Sequence, residues 1–466
     1  MPSSAIAAFT RLVEARPPER PSIWFNTTCV LGGSIAGLLA ARVLADHARS
    51  VVVIERDAVN AEGRSRAGVP QDRQVHVLLP GGRRWLEHWL PGLTRDLQNH
   101  GAVLSGPGQF VQYTDGRPQI HEHPLLTASR PLLESRIRAR VLALPNVATR
   151  RSQVTGLEYR DGRVTAVRCR SSQAGHVLPA DLVVDAMGRA SRVAGWLEDD
   201  GYDAPPLQRL ATSINYVSAL FKRTRPPALT AAVALFSPPY PVDGIAVAGL
   251  GAIEHEQWLV LLMGYDDSRP GRTLEAFQDS CAKLPPVFGE AARDAVTGEI
   301  FTYHQADSRR RDFAGLARFP AGLLSVGDAV ASFNPIYAQG ISAAALHASC
   351  LSEYLSTEPI PGRPATAFFD LERLVVDAAW TLSAGGDAAR LDALTGAQVP
   401  QDISRQRWAL NQLIQASPAD QVVARAVNDV TFMLAHPDTL ADPALLNRAI
   451  AANQPGNTGT GGLTGR

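Results

Sequence analysis

The chain has 466 residues, 45% hydrophobic and 19% charged, an ordinary globular composition with enough length for two or three domains and a large core. Its 45 basic side chains balance 45 acidic ones with no basic run, which argues against a nucleic-acid partner, and only Lys222 and Lys283 are lysines, so lysine-dependent chemistry has few candidates. Cys29, Cys169, Cys281 and Cys350 are scattered without metal or CxxC spacing, and no uncharged stretch is long enough for a membrane span; the expectation is a cytoplasmic protein in a reducing compartment, with no metal site and no stable membrane insertion.

Residues 1–26 read as a polar extension, and the charges Arg11, Glu14, Arg16, Glu19 and Arg20 interrupt any apolar core of a secretion signal. A strand, Thr28-Cys29-Val30-Leu31, runs straight into Gly32-Gly33-Ser34-Ile35-Ala36-Gly37. Residues 38–48 are rich in alanine and leucine and read as a helix, and a second apolar strand at 51–54 ends at Glu55-Arg56. This is the βαβ pattern of a dinucleotide site: Gly32 permits the tight turn, the third position lets backbone approach a pyrophosphate, and Gly37 lets helix and strand touch. Ser34 stands where a second glycine is usual, its small side chain either accommodated or itself bonding a phosphate, and Glu55 is placed to accept hydrogen bonds from a ribose.

The segment RSRAGVPQDRQVHVLL, residues 64–79, mixes arginines with Gly68, Pro70 and His76, and its arginines can reach the same pyrophosphate. Residues 80–99 read as one helix whose Trp85, Leu86, Trp89, Leu90 and Leu93 cover a core-facing side. A turn-rich stretch at 101–123 suggests a strand pair. Ser129-Arg130-Pro131 then opens a helix over 132–144, with Arg130 at its mouth and Arg136, Arg138 and Arg140 assigned mostly to solvent. Asp161-Gly162 between two alternating runs signals a hairpin, and Asp181 to Arg189 is a buried strand ending in a glycine turn that returns the chain to the first sheet.

From 208 to 263 the texture changes to strands at 211–221, 231–236, 244–249 and 258–263, a mostly antiparallel sheet suited to wall a substrate cavity. Residues 321–345, AGLLSVGDAVASFNPIYAQGISAAA, form the stretch around which the chain is organised. A short buried strand stops at Gly327-Asp328, a loop with Pro335 follows, and a helix opens near Gly340 whose first-turn N–H groups point back at whatever the loop holds. Asp328 suits a polyol hydroxyl, and a polyol with an acidic ring points to a flavin. The remainder reads as helical, through 368–382, 404–415 and 421–434, and residues 453–466 read as disordered.

With these motifs in this order, the sequence resembles the FAD-dependent monooxygenases of the p-hydroxybenzoate hydroxylase type. GGSIAGLLAARVL, GVPQDRQVHVLLPGG, SRPLLESRIR, GDAVASFNPIYAQGIS and DAAWTLSAGGD are most similar to the bacterial polyether-type flavin-dependent epoxidases. The resemblance implies an α/β fold: a Rossmann-like FAD-binding domain of the glutathione-reductase type (27–107, 124–206 and 305–350), an antiparallel substrate sheet (108–123 and 207–304) and a C-terminal helical region (351–452). It places Gly32, Gly33, Ser34, Ile35, Ala36, Gly37, Glu55 and Arg56 at the ADP half of FAD. Arg66, Ala67, Gly68 and Val69 pass toward the flavin edge, Arg130 lies near the cofactor, and Asp185 and Gly188 form a DG motif. Gly327-Asp328 is the GD motif at the ribityl chain, followed by Gly340 and Ile341. Asn334, Pro335 and Tyr337 would lie by the reacting oxygen, with His76 and Tyr216 as further pocket residues. Gln74 stands where the resemblance expects a histidine.

The implied reaction is epoxidation of an alkene in a polyketide or terpenoid through a flavin C4a-hydroperoxide, with O2 as co-substrate and NAD(P)H as electron donor, directly or through a flavin reductase. An aromatic hydroxylase on the same scaffold is the nearest rival, and an alkene reductase or a non-catalytic flavin module are others. A flavin halogenase is disfavoured because WxWxIP is absent. The substrate, the oligomeric state and the product, epoxide or phenol, are left open by the sequence.

Overall fold

The computed structural model describes residues 4–58, 64–171, 175–224, 228–357, 359 and 362–454. A five-stranded parallel sheet carries the strands Leu323–Ser325, Leu182–Asp185, Phe25–Leu31, Ala48–Glu55 and Val147–Arg151 in that order. Its apolar runs, such as Cys29 to Leu31 and Val183 to Val184, are buried on both faces, as expected of parallel strands covered by helices. On one face lie the helices Ile35–Leu44, Arg130–Leu142 and Gly340–Ser356.

The second sheet has eight strands in the order Ala331–Ser332, Phe301–Arg311, Leu207–Lys222, Gln257–Tyr265, Ile245–Ile253, Ala231–Leu235, Phe110–Thr114 and Arg117–His121. All its pairs are antiparallel except that of Ala231–Leu235 with Phe110–Thr114. Side chains alternate between its faces. Val217, Ala248 and Leu262 pack with Phe277, Cys281 and Phe288 of two short helices, whereas Tyr216, Val247 and Leu261 form a separate cluster on the opposite face. That opposite face is one wall of the cavity described below.

The βαβ unit, the hairpin at Asp161-Gly162 and the four strands between 207 and 265 lie where the sequence puts them. Several elements differ. The polar extension contains a helix, Ser4–Glu14, whose Phe9, Leu12 and Val13 enter the main core while Trp85 donates its indole N–H to Val13 O at 3.0 Å. The single helix at 80–99 is two, Pro80–Trp89 and Leu93–Asn99, because Pro91 and Gly92, the latter at φ +82°, turn the chain between them. The first helix of the βαβ unit already ends at Leu44, and Ala48 begins the next strand.

Phe301–Arg311 is a strand that the sequence pattern hides behind its polar residues; it carries the substrate-side sheet seven residues past 304. The helix over 368–382 runs from Thr366 to Thr395, continuing through Gly385-Gly386. Three more helices, Gln401–Ala416, Gln421–Thr431 and Pro443–Ala452, share a small core of Leu413, Ala416, Val423 and Ala449. Of the stretch read as disordered, residues 455–466 lie outside the described residues.

Candidate active site

One continuous cavity of about 2380 Å³ runs from the glycine turn after the first strand, past the ends of the other parallel strands, to the face of the eight-stranded sheet. This is the crevice at the carboxyl ends of parallel strands where open α/β sheets hold ligands. At its start Gly32 sits at φ +104°, and any Cβ there would meet the carbonyl of Ala186; Gly37 is pressed as closely onto Gly32. Helix Ile35–Leu44 has no side-chain cap, so its first-turn N–H groups stay open toward the cavity, which Ser34, Ile35 and Ala36 line.

The centre of this end is a residue the sequence reading passed over, Glu134. Its Oε1 accepts hydrogen bonds from Arg66 Nε at 2.8 Å and Arg138 Nη2 at 2.6 Å, and its Oε2 accepts from Ser34 Oγ at 2.9 Å and Arg130 Nη2 at 3.4 Å. Burial works to raise the pKa of Glu134, but Arg130, Arg66 and Arg138 outweigh it and hold the carboxyl below the usual glutamate range. Ser34 is therefore engaged by its hydroxyl, which also accepts from Arg130 at 3.0 Å. Arg138 is buried in this cluster and Arg136 pairs with Asp96, which corrects their assignment to solvent; the spacing Arg130, Glu134, Arg138 puts all three on one helix face.

Glu55 Oε2 accepts from Gly33 N–H at 2.9 Å and from Arg66 Nη1 at 3.0 Å, while its Oε1 accepts from Asp57 N–H. Gly68 N–H donates to Asp57 at 2.7 Å, fixing the turn that carries Ala67, Gly68 and Val69 along the cavity wall. Arg56 also lines the wall, with an exposed side chain.

Asp185 is spent on its own turn, accepting from Met187 N–H at 3.0 Å and Ser191 Oγ at 2.5 Å, and burial pushes its pKa up to about 6. It does not line the cavity; Gly188 beside it does. Gly188 and Asp328 face each other, so the two strand-end turns meet. Burial raises the pKa of Asp328, which lines the wall. Arg189, not foreseen from sequence, ties this junction to the antiparallel sheet through Asp307 at 2.6 Å and Ser332 at 2.7 Å.

The loop after Gly327 folds over the cavity with Asn334, Pro335, Ile336 and Tyr337, and Ala338 takes a left-handed φ of +53° before helix Gly340–Ser356 begins. That helix is also uncapped by any side chain, and Gly340 and Ile341 line the cavity at its positive end. Opposite are His76 and Tyr216. His76 Nδ1 lies 2.9 Å from Gln74 O, and since a carbonyl only accepts, the proton sits on Nδ1 and Nε2 keeps its lone pair. Burial, then Arg130, lowers its pKa to about 4, so the ring is neutral at pH 7.

Gln74 spends its amide on the sheet, donating to Phe301 O at 3.2 Å and accepting from Ser218 Oγ at 2.7 Å; it anchors the loop that presents His76. The far wall is helical, including Thr381, Leu382, Leu410 and Ile414. Neither lysine lines the cavity. Among the described residues no group of three His, Cys, Asp or Glu is placed to hold a metal, and no helix is long and apolar enough to cross a membrane.

Comparison with known proteins agrees with this geometry. Residues 26–358 match the family described as FAD binding domain. A protein of Mycobacterium tuberculosis, Protein Rv3254, is 32% identical over 447 residues, covering 91% of this chain and 93% of its own. Among solved structures, the flavin-dependent brominase Bmp2 superposes with a TM-score of 0.63 at 15% identity, over 91% of this chain and 98% of its own. The p-nitrophenol 4-monooxygenase PnpA from Pseudomonas putida DLL-E4 follows at 0.57 and 18%, over 92% and 99%. PqsL from Pseudomonas aeruginosa, a probable FAD-dependent monooxygenase, gives 0.58 and 19%, over 81% and 100%. At these identities the structural likeness is one of fold.

Proposed function

The chain belongs to the FAD binding domain family, and from that premise we propose that it is a monooxygenase that transfers one oxygen atom of O2 to an alkene of a large apolar molecule, a polyketide or terpenoid, giving an epoxide. The residues present suit the cofactor. Arg138 Nη1, beside Gly33, and Arg130 Nε are buried donors with no partner among the described residues, next to an uncapped helix start. Arg66, Arg130 and that helix would hold the pyrophosphate, Asp328 the ribityl hydroxyls, and the open N–H groups at Gly340 and Ile341 the negative charge of the reduced ring. FAD, once reduced by NAD(P)H on this protein or through a separate flavin reductase, supplies the activation of dioxygen.

The observation that carries the reading is the cavity itself. Its volume of about 2380 Å³ exceeds twice the ~1000 Å³ upper end of ordinary ligand pockets, leaving room beside a dinucleotide for a bulky partner. Val233, Leu235, Val247 and Leu261 from the sheet wall this chamber and keep water from the reacting atoms. Epoxidation of an alkene requires no side-chain base. A second reading, hydroxylation of an aromatic ring, is supported by His76, whose Nε2 lone pair can accept the hydrogen bond of a phenol and orient it.

The test is the purified full chain with FAD, NAD(P)H and a flavin reductase, offered polyenes and polycyclic phenols under isotopically labelled dioxygen. One labelled atom in an epoxide is the expected result. A labelled phenol moves the assignment to the second reading. An alkene that gains two hydrogens and no label makes the protein a reductase, and a product brominated in the presence of bromide makes it a halogenase.

A further inference from the structure

The run DAAWTLSAGGD lies in the long helix Thr366–Thr395, and nothing in the cofactor cradle accounts for its end, Gly385-Gly386-Asp387. A glycine inside a helix weakens it relative to alanine, and a carboxylate as buried as Asp387, 1% exposed, is costly unless paired. Gly386 and Asp387 each have a counterpart across the cavity wall. The Tyr337 hydroxyl occupies the space that a Cβ on Gly386 would need. Asn334, fully buried, donates its Nδ2–H to Asp387 Oδ1 at 2.7 Å and accepts Ile336 N–H on its own Oδ1 at 3.1 Å.

The helix thus grips the loop on both sides of Pro335. It is itself pinned to the antiparallel sheet by Arg390, whose guanidinium lies 3.8 Å from the Tyr265 ring centre and pairs with Asp266 at 2.9 Å. We propose that Asp387 is a positioning residue, clamping the loop 334–340 through Asn334, so that the C-terminal helical region is a working part of the active site. This rests on that loop being the one that faces the flavin.

The surroundings give the clamp a pH dependence. Asp387 Oδ2 is buried with no partner among the described residues, and the groups around it are Tyr216 and Tyr265 from the sheet, Tyr337 from the loop and Arg390 from its own helix. Burial pushes all three tyrosines up, so they stay protonated. Burial, opposed by Asn334 and Arg390, pushes Asp387 up to about 6. The acceptor for Asn334 is charged above that pH and neutral, hence weaker, below it.

Hydrogen exchange on the full chain with FAD added reads the clamp at the Ile336 and Tyr337 amides. A hydrogen bond to a charged group predicts exchange roughly ten-fold faster or more in D387A, with the helix Ile35–Leu44 unchanged. In N334D/D387N, donor and acceptor are reversed, and protection returns to within about two-fold of wild type. Unchanged exchange in D387A, or a swap no better protected than D387A, overturns the proposal. Should D387A not fold, D387N serves: wild-type protection, corrected for intrinsic rates, falls as pH drops through about 6, whereas D387N is flat across that range, and an equal fall in both overturns it. Exchange is read without turnover, so a failed clamp leaves the monooxygenase reading standing. An inactive or colourless protein with a protected Ile336 amide would remove that reading and keep the clamp.

Discussion

Two glycines in the same loop are expected to respond oppositely to alanine. Gly327 sits at φ +64°, and a Cβ there would lie 2.5 Å from Ala36 Cβ, the point at which the late loop presses on the first helix of the βαβ unit. The left-handed backbone costs an alanine roughly 1–2 kcal/mol, and pushing the two elements apart adds roughly 1–3, so G327A should destabilise the apoprotein by about 2–5 kcal/mol. Gly340 opens a helix at an ordinary φ with nothing within 4 Å of its would-be Cβ, so G340A should leave the apoprotein unchanged or up to ~1 kcal/mol more stable. That space belongs to the cavity, however, and a methyl placed there intrudes on the cofactor: overpacking of ~1–3 kcal/mol corresponds to a loss of FAD affinity of about 5- to 150-fold. The assays are urea unfolding of the protein stripped of FAD, since bound ligand would mask the difference, and FAD titration by fluorescence quenching. A wild-type unfolding midpoint for G327A, or wild-type FAD affinity for G340A, would refute the reasoning.

Three further outcomes are expected. D328A removes a carboxylate acceptor worth ~1.5–3 kcal/mol to a hydroxylated ligand and should weaken FAD about 10- to 150-fold; a variant purified with full flavin occupancy would show that the GD turn is not at the cofactor. The folded pKa of Asp185, about 6, is raised above its ordinary 3.8, so the stability it contributes is complete below pH 3.8 and is lost as pH rises through 6. Wild type should therefore lose up to about 3 kcal/mol relative to D185N between pH 4 and pH 7, measured by urea unfolding at the two pH values, and parallel pH profiles would contradict the assignment. A338G should raise stability by about 1 kcal/mol by relieving the left-handed alanine, seen as a higher unfolding midpoint; a lower midpoint would mean the turn is not strained.

The turns at Gly32 to Gly37 and at Gly327-Asp328 were legible because each lies in a contiguous strand-turn-helix signal. Glu134 was not, because its partners Ser34, Arg66 and Arg130 lie on separate segments and only the fold gathers them; the recurrence of charge every fourth residue from Arg130 to Arg138 was the available clue. Asp185 carries the expected motif yet serves its own turn, since sequence does not say which way a carboxylate at a strand end faces. Phe301–Arg311 was missed because one face of that strand meets a polar cavity edge, and the long helix was cut short at Gly385-Gly386 because the helix continues through both despite their low propensity, with Gly386 packed against Tyr337. The helix Ser4–Glu14 did show Phe9, Leu12 and Val13 at helical spacing, a signal outweighed by the surrounding charges.

The order of the parallel sheet also bears on how the protein is made. Its edge strand, Leu323–Ser325, pairs with Leu182–Asp185, a partner synthesised about 140 residues earlier, on a ribosome adding some 5–20 residues per second. For that interval the nascent chain holds an apolar, unpaired strand edge, the kind of surface that recruits other chains. Messages truncated before codon 323 should yield insoluble product, and slow late folding, more than weak native contacts, would then limit the yield of active enzyme.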